Sequence, residues 1–262
     1  MSVTVITGGA GGIARACAER LRERGPVLTA DIAGADVACD VTDAASVAAL
    51  AERAAAMGPL GALVHTAGLA PPGPHDPRRV LDVNLAGTAR VLDAFLPHAG
   101  PETVAVCIAS LAGHRAFAAE CDERFDDPLD PRLYDRLPTR DDVLVTYSLS
   151  KRGVIVEVRK RAAQWGARGA RIVSVSPGLV VDTAIGQAAA TIHAGAYAQQ
   201  SALGRAGMSA DIAGVIAFLT GPDAAYVTGC DLLVDGGVVA HTLQHADPAD
   251  RDRWNAAAYD QT

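Results

Sequence analysis

Residues 147–151 read YSLSK, a tyrosine four residues before a lysine. Four residues is about one helical turn, so Tyr147 and Lys151 would share one face of a helix. A phenol titrates near pH 10, and an ammonium group beside it favours the phenolate and lowers that pKa. The pair could therefore transfer a proton near neutral pH. The pentapeptide alone is also compatible with an unrelated tyrosine and lysine on a surface helix, so the rest of the chain must decide.

The elements that would position this pair follow an alternating pattern. Short apolar runs predict strands, and longer stretches between them predict helices. The predicted strands are 3–7, 27–31, 62–66, 104–110, 171–176 and 232–236. The predicted helices are 13–24, 44–57, 87–97, 147–165 and 209–220. Several runs are continuously apolar, as in strands covered on both faces. The pattern predicts an α/β fold in one domain over residues 1–262, a Rossmann-type doubly wound parallel sheet with helices on both faces.

Two segments depart from the alternation. Residues 114–142, just before the YSLSK helix, are long for a bare loop and predict a functional insertion with some helix of its own. The composition of residues 240–262 predicts a polar C-terminal tail. The third helix should begin after Gly87, and Ser209 is a plausible N-cap of the fifth.

Composition excludes several functional classes. The formal net charge is −7, and the segment from Glu120 to Asp142 carries nine acids and four arginines. This balance argues against a partner that is nucleic acid or an anionic membrane. Five cysteines without a CxxC pair suggest buried thiols in a reducing cytoplasm, and no apolar run approaches membrane-spanning length.

A glycine-rich loop, TGGAGGIA at 7–14, follows the first strand and opens the first helix. Glycines let a backbone approach a pyrophosphate closely at a helix N-terminus, although a tight turn is the alternative. The second strand ends on Asp31, 23 residues after Gly8, where an acid can hold ribose hydroxyls and repel a 2′-phosphate. The absence of an arginine directly after Asp31 favours NAD over NADP as the cofactor.

Further segments occur in a fixed order around these two motifs: CDVTD (39–43), HTAG (65–68), DVNLAG (82–87), IASLAG (108–113), SPG (176–178) and YVTGCDLLVDGG (226–237). Together with the glycine loop, Asp31 and YSLSK, they resemble the short-chain dehydrogenase/reductase family over residues 3 to about 239. The insertion and the stretch 158–172 are most similar to the bacterial 3α-hydroxysteroid dehydrogenase/carbonyl reductase group.

The resemblance implies roles for individual residues. Tyr147 would be the general acid/base, Lys151 would support it and bind the nicotinamide ribose, Ser110 would hydrogen-bond the substrate oxygen, and Asn84 would hold a relay water. The implied cofactor-binding residues are Gly8, Gly11, Gly12, Ile13, Asp31, Asp40, Val41, Ala67, Gly68, Lys151, Pro177, Gly178, Val180 and Thr183. The family pattern needs no metal, and His241 and His245 have no evident third ligand beside them.

Four positions differ from the family pattern. Ala14 replaces the last glycine of the loop, and His65-Thr66 replaces an Asn-Asn pair, so its hydrogen bonds must be rebuilt. Asp182 stands where the family has a threonine, which leaves the cofactor contact of Thr183 open. Residues 184–205 follow the nicotinamide-facing loop, and their position predicts a lid over the substrate.

The resemblance implies an NAD-dependent oxidoreductase that interconverts a secondary alcohol and a ketone, with a hydroxysteroid or similar apolar cyclic substrate. Alternatives are another small cyclic alcohol, a polyketide-like ketone, or a non-catalytic NAD sensor. We expect a homodimer or homotetramer, with the dimer favoured because a charged insertion beside the Tyr147 helix would restrict one packing surface.

Overall fold

A computed structural model describes residues 1–139, 141–193, 200–245 and 247–255. Its central sheet contains β1 (Val3–Thr7), β2 (Val27–Asp31), β3 (Val37–Ala38), β4 (Leu60–His65), β5 (Val104–Ile108), β6 (Arg171–Pro177) and β7 (Asp231–Val234). All neighbours pair in parallel, in the order β3-β2-β1-β4-β5-β6-β7. The predicted doubly wound sheet is confirmed, and the two-residue strand β3 is an addition to the predicted set.

The helices are α1 (Gly12–Leu21), α2 (Ala44–Ala55), α3 (Pro77–Leu81), α4 (Gly87–Phe95), α5 (Ala116–Ala119), α6 (Leu133–Arg136), α7 (Val143–Gly166), α8 (Ala184–His193), α9 (Ser209–Leu219), α10 (Val238–His245) and α11 (Pro248–Asn255). They cover both faces of the sheet. One apolar core joins the strands to α2, α4 and α7, and the other joins them to α1 and α9. Both faces of the sheet are therefore buried, which explains the continuously apolar strands.

The predicted start of the third helix is confirmed, since α4 begins at Gly87, whereas the predicted N-cap of the fifth helix is wrong. A further helix, α3, precedes α4 and begins at Pro77, where Asp76 caps it by accepting from the Arg78 N–H at 2.9 Å. A π-helical segment, Asp82–Ala86, then leads directly into α4. Ser209 is the first residue of α9 rather than its N-cap, and its hydroxyl donates to Asp182 at 2.7 Å.

The insertion forms its own small core against α7. It contains α5, a 3₁₀ turn (Asp122–Arg124) and α6, which confirms the predicted helical content. Its apolar side chains pack with one face of α7 in a cluster of Phe117, Phe125, Leu133, Val145, Leu149 and Val156. The Arg152 guanidinium donates to both carboxylate oxygens of Asp122, at 2.5 and 2.6 Å. The insertion is thus attached to the helix that carries Tyr147.

The C-terminal region differs from the expected polar tail. Trp254 on α11 is 8% exposed and packs with Leu111 and Val239. The last described helix therefore contacts the turn that follows β5. Among the described residues, the structure contains no helix that is both long enough and apolar enough to cross a membrane.

Candidate functional site

A cavity of about 1320 Å³ opens at the carboxyl ends of the strands. Its wall includes residues that end or follow β1, β2, β4, β5 and β6. The chain runs outward from β1 to β3 and then crosses back to β4, so β1 and β4 flank the point where the strand order reverses. Ligands of open α/β sheets bind at this point.

The glycine loop forms one end of the cavity. Gly8 has a φ of +70°, and a Cβ there would lie 2.6 Å from the backbone nitrogen of Ala67. A Cβ on Gly12 would lie 2.8 Å from the Thr183 methyl group. Gly8, Gly11, Gly12 and Ile13 line the cavity where α1 begins, so backbone N–H groups and the helix dipole are available to an anionic group. The chain therefore fits a pyrophosphate at this end, and Ala14, which is fully buried, is tolerated in the helix.

Asp31 ends β2 on the same wall. One carboxylate oxygen accepts from the Ile32 N–H at 2.7 Å, and the other accepts from the Ala10 N–H at 3.0 Å. These bonds fix the carboxylate at the cavity edge, and each oxygen has a second lone pair for a hydroxyl donor. Arg79, also on the wall, is bonded to Asp40 at 3.3 Å and to Thr42 at 2.9 Å.

Tyr147 and Lys151 lie on the cavity-facing side of α7, as their spacing predicts. The helix is fixed at its start by Asp142, whose carboxylate accepts from the N–H groups of Leu144 and Val145. The Lys151 Nζ lies 5.9 Å from the centre of the Tyr147 ring. This distance places an ammonium group beside the phenol.

Lys151 is 5% exposed, and its Nζ donates to the Ile108 carbonyl at 3.0 Å. Burial lowers the pKa of Lys151 from 10.5 to about 8. The buried ammonium group of Lys151 has therefore lost part of its solvation free energy.

Ser110 follows β5 on the wall and caps a 3₁₀ turn, Leu111–His114, by accepting from the Ala112 N–H at 3.2 Å. The turn lies directly on α7, since a Cβ on Gly113 would be 3.0 Å from the backbone carbon of Lys151. Ser110 and Tyr147 are separated by the whole insertion in sequence, yet both line one cavity. The close contact at Gly113 explains how they converge.

Asn84 is buried behind the cavity wall, in the π-helical segment. Its amide donates to the Leu69 carbonyl at 2.9 Å and to the Ser150 hydroxyl at 3.0 Å, and its oxygen accepts from the Leu69 N–H at 2.8 Å. A Cβ on Gly68 would touch both the Asn84 oxygen, at 3.1 Å, and the Lys151 Nζ, at 3.2 Å. Asn84 therefore lies beside Lys151 in the interior of the protein.

The His65-Thr66 pair rebuilds the expected hydrogen bonds through Thr7. The His65 Nδ1 and the Thr7 hydroxyl are 2.6 Å apart, and the Thr66 hydroxyl donates to the Thr7 carbonyl at 2.7 Å. Burial, together with the nearby Lys151 charge, lowers the pKa of His65 to about 3. This histidine is neutral at physiological pH and joins β1 to β4.

The remaining predicted cofactor-binding residues also line the cavity: Asp40, Val41, Ala67, Gly68, Pro177, Gly178, Val180 and Thr183. The Thr183 hydroxyl donates to the Val180 carbonyl and accepts from the Gly186 N–H, both at 2.9 Å. Of the predicted lid, Ile185, Gly186 and Ala189 contribute to the wall. Residues 194–199 of that lid lie outside the described residues.

Sequence reasoning missed two features near the site. Arg115, five residues after Ser110, lines the cavity, and only its position beside the IASLAG motif could have indicated this. The second is a buried network in which the Asp231 carboxylate accepts from Ser174 at 2.5 Å and Ser176 at 3.0 Å and contacts the His114 Nε2 at 2.9 Å. Burial would raise the pKa of Asp231, but these hydrogen bonds outweigh it and lower that pKa. The network holds the turn after Ser110 against β6 and β7.

The His241 and His245 rings lie 5.5 Å apart on α10. Within the part of the chain that the structure describes, no group of three or more His, Cys, Asp or Glu side chains could hold a metal ion.

Comparisons with known proteins identify the family. Residues 2–121 match the family model described as short chain dehydrogenase, and residues 141–239 match the model described as Enoyl-(Acyl carrier protein) reductase. The 3-alpha-hydroxysteroid dehydrogenase/carbonyl reductase of Comamonas testosteroni is 34% identical over 260 residues, covering 92% of this chain and 97% of that protein. The cis-4-hydroxycyclohexanecarboxylate dehydrogenase of Sinomonas cyclohexanicum is 33% identical, covering 91% of this chain and 96% of that protein.

Among solved structures, the 3-alpha-hydroxysteroid dehydrogenase of Pseudomonas sp. B-0831, complexed with NADH, superposes with a TM-score of 0.80 at 30% identity. The match covers 94% of this chain and 99% of that one. The two sequence relatives match nearly the full length of this chain, and the solved structure shares its fold. This protein therefore belongs to the short-chain dehydrogenase/reductase family, and it is an oxidoreductase that acts on CH–OH groups with a nicotinamide cofactor.

Proposed function

We propose that this protein is an NAD-dependent oxidoreductase that interconverts a secondary alcohol and a ketone on an apolar cyclic substrate of the hydroxysteroid type. One observation carries the proposal. Tyr147 and Lys151, on one helix, line the same cavity as Ser110, the glycine loop and Asp31. A proton-transfer pair, a hydroxyl donor and a dinucleotide site are thus combined at one edge of the sheet.

When bound, the nicotinamide ring supplies or accepts the hydride, and the protein manages the proton. The Tyr147 phenolate takes the proton of the alcohol in oxidation, and the Tyr147 phenol gives one to the carbonyl oxygen in reduction. The Lys151 charge beside the ring favours the phenolate form of Tyr147. The Ser110 hydroxyl donates to the substrate oxygen as negative charge develops there. Asn84, beside Lys151, holds a water through which the proton exchanges with the solvent.

The choice of NAD rests on Asp31. A 2′-phosphate would meet this fixed carboxylate at close range, and like charges across an interface can cost several kcal/mol. Arg79 on the same wall is engaged by Asp40 and Thr42. The NADH in the related Pseudomonas structure supports the same choice.

The substrate class rests on the lining of the cavity beyond Ser110 and Tyr147. The wall there carries apolar side chains beside the charged Arg115, Asp141 and Asp142; the apolar ones are Leu69, Pro72, Leu111, Val143, Leu144 and Ile185. Two relatives are named for cyclic secondary alcohols, a hydroxysteroid and a hydroxycyclohexanecarboxylate. Together these observations favour a ring-bearing secondary alcohol.

The test is NADH absorbance with a panel of hydroxysteroids, cyclic alcohols and their ketones. Wild type should turn over at least one of them, and Tyr147→Phe should lose about 10² to 10⁴ in kcat, the usual contribution of general acid–base catalysis. Tyr226→Phe, on a fully exposed tyrosine, is the matched control and should keep its activity. NADH binding without turnover of any substrate would contradict the proposal and favour a sensor.

A further inference from the structure

We infer that His114 and Asp231 are positioning residues for the reaction, because their contact holds the turn that carries Ser110 beside the loop that faces the nicotinamide. The inference rests on the proposed function, which gives Ser110 and the loop at 177–178 their roles. It starts from Asp231, a carboxylate that belongs to neither the catalytic nor the cofactor-binding residues.

Asp231 begins β7, and its side chain is 3% exposed. One carboxylate oxygen accepts from the hydroxyls of Ser174 at 2.5 Å and Ser176 at 3.0 Å, and the other lies 2.9 Å from the His114 Nε2. Burial would raise the pKa of Asp231, but these hydrogen bonds lower it below the usual value, so the group is ionised at neutral pH and can only accept. The His114 Nε2 therefore carries a proton that it donates to Asp231.

The turn after β5 connects this contact to Ser110. Ser110 is the N-cap of the turn and His114 is its last residue, so the hydroxyl and the contact lie at its two ends. The Gly113 N–H donates to the Ser110 carbonyl at 2.9 Å, and the Ala112 N–H donates to the Ser110 hydroxyl oxygen at 3.2 Å. Because the Ala112 N–H occupies one lone pair of that oxygen, the turn sets the direction in which the hydroxyl can donate. A displaced turn would therefore misdirect the Ser110 proton.

The sheet fixes only the beginning of this turn. The hydrogen bonds between β5 and β6 extend to Ala109, whose N–H donates to a β6 carbonyl at 2.8 Å. Ser110 follows in an extended conformation, and the chain then turns onto α7 at Gly113. The α7 contact places the turn relative to the helix of the general acid/base, and the His114 contact places it relative to β6 and β7.

The other partners of Asp231 lead into the cofactor site. Ser176 directly precedes Pro177 and Gly178, which line the cavity. The Gly178 N–H donates to the Val234 carbonyl of β7 at 2.9 Å. Asp231 therefore joins the segment that holds the substrate oxygen to the segment that faces the nicotinamide, the two parts whose relative placement hydride transfer depends on.

The experiment follows the reduction by NADH of a ring ketone that wild type accepts. His114→Ala removes the contact and should lower kcat by about 10²-fold, the usual effect of a displacement of about 1 Å, while the dissociation constant of NADH stays near the wild-type value. His114→Gln places an amide N–H near the position of Nε2 and should restore most of kcat. His114→Asn, which is one methylene group shorter, should not, and this pair of variants keeps the test valid if His114→Ala folds poorly. In the Ser110→Ala background, His114→Ala should have little further effect, because both changes act through one hydroxyl.

His98→Ala is the matched control and should keep kcat. His98 is 26% exposed and lies 3.9 Å from Glu52, away from the cavity wall, and His114 is 23% exposed, so the control removes a histidine beside a carboxylate at similar exposure. A wild-type kcat in His114→Ala, or an equal loss in the Ser110→Ala background, would overturn the inference.

Hydrogen exchange of the Ala112 and Gly113 amides tests the turn without turnover. Both amides should exchange faster in His114→Ala and regain their protection in His114→Gln. This result, with no reduction of any ketone by wild type, would refute the dehydrogenase function alone, since the contact would still hold the turn. Reduction by wild type with the same exchange in all variants would refute the positioning role alone.

Discussion

Replacing Lys151 by methionine should stabilise the protein at neutral pH while abolishing its activity. The side chains have similar length, so methionine keeps most of the packing and removes the charge. Lys151 is 5% exposed, and burial lowers its pKa from 10.5 to about 8. Each pKa unit corresponds to about 1.4 kcal/mol, so the buried charge destabilises the fold by about 3 kcal/mol below pH 8. The lost hydrogen bond to the Ile108 carbonyl offsets about 1 kcal/mol of the gain.

The pH dependence of the unfolding free energy separates the effect of the Lys151 charge from the effect of its packing. Because the pKa is lower in the folded state, the unfolded chain binds more protons between pH 8 and 10.5. The unfolding free energy of wild type should therefore rise with pH through this window. The variant has no lysine at this position and should not show this rise. The difference in unfolding free energy between Lys151→Met and wild type should fall by about 2.5 kcal/mol from pH 7 to pH 10.

Urea unfolding at pH 7, 8, 9 and 10 measures this difference. Lys160→Met is the control, because it removes the other lysine of the chain from a side chain that is 40% exposed. Lys151 and Lys160 are the only lysines in the sequence, so selective ¹⁵N labelling gives two side-chain signals. The signal that disappears in Lys151→Met should titrate with a midpoint near 8. A midpoint near 10.5, or a stability difference that does not vary with pH, would refute the reasoning.

Four further outcomes are expected. Asp31→Ala should lower kcat/KM with NAD and raise it with NADP, changing the ratio by at least about tenfold; an unchanged ratio would show that the carboxylate does not face the ribose. Gly113→Ala should cost about 10²-fold in kcat/KM with NADH binding retained, because its methyl group would separate the turn after Ser110 from the backbone of Lys151; wild-type kinetics would contradict this contact. Asp122→Ala should destabilise the protein by about 1 to 3 kcal/mol in urea, since Arg152 is 12% exposed and loses its partner; an equal midpoint would show that the pair contributes nothing. Light scattering should show a dimer rather than a tetramer paired through α7, because the insertion covers one face of that helix.

Local sequence patterns were sufficient to predict those elements whose structure depends mainly on neighbouring residues in the sequence. The strand ending at Asp31 was predicted with the bounds that the structure shows, since a short apolar run between turn residues has few alternatives. The spacing of Tyr147 and Lys151 fixed their common face once α7 formed. The ordered motifs then indicated the family, which no single motif could do.

Tertiary contacts decided what the sequence could not. The start of α3 at Pro77 was signalled by Asp76, but the π-helical segment between α3 and α4 has no recognised pattern in sequence. Arg115 reads as an ordinary charged residue until Trp254, far along the chain, is seen to pack beside it. Tertiary packing likewise overrides the polar composition of the C-terminal segment.

The order of the sheet has a consequence for how this enzyme can be altered. Asp31 ends β2 and Ser110 follows β5, and β1 and β4 lie between them. Three strand spacings of about 4.8 Å separate the two ends by roughly 14 Å. Changes at positions this far apart and without shared partners usually combine additively. Changes to the cofactor site and to the substrate site should therefore combine additively, so that each site can be redesigned in this protein without first rebuilding the other.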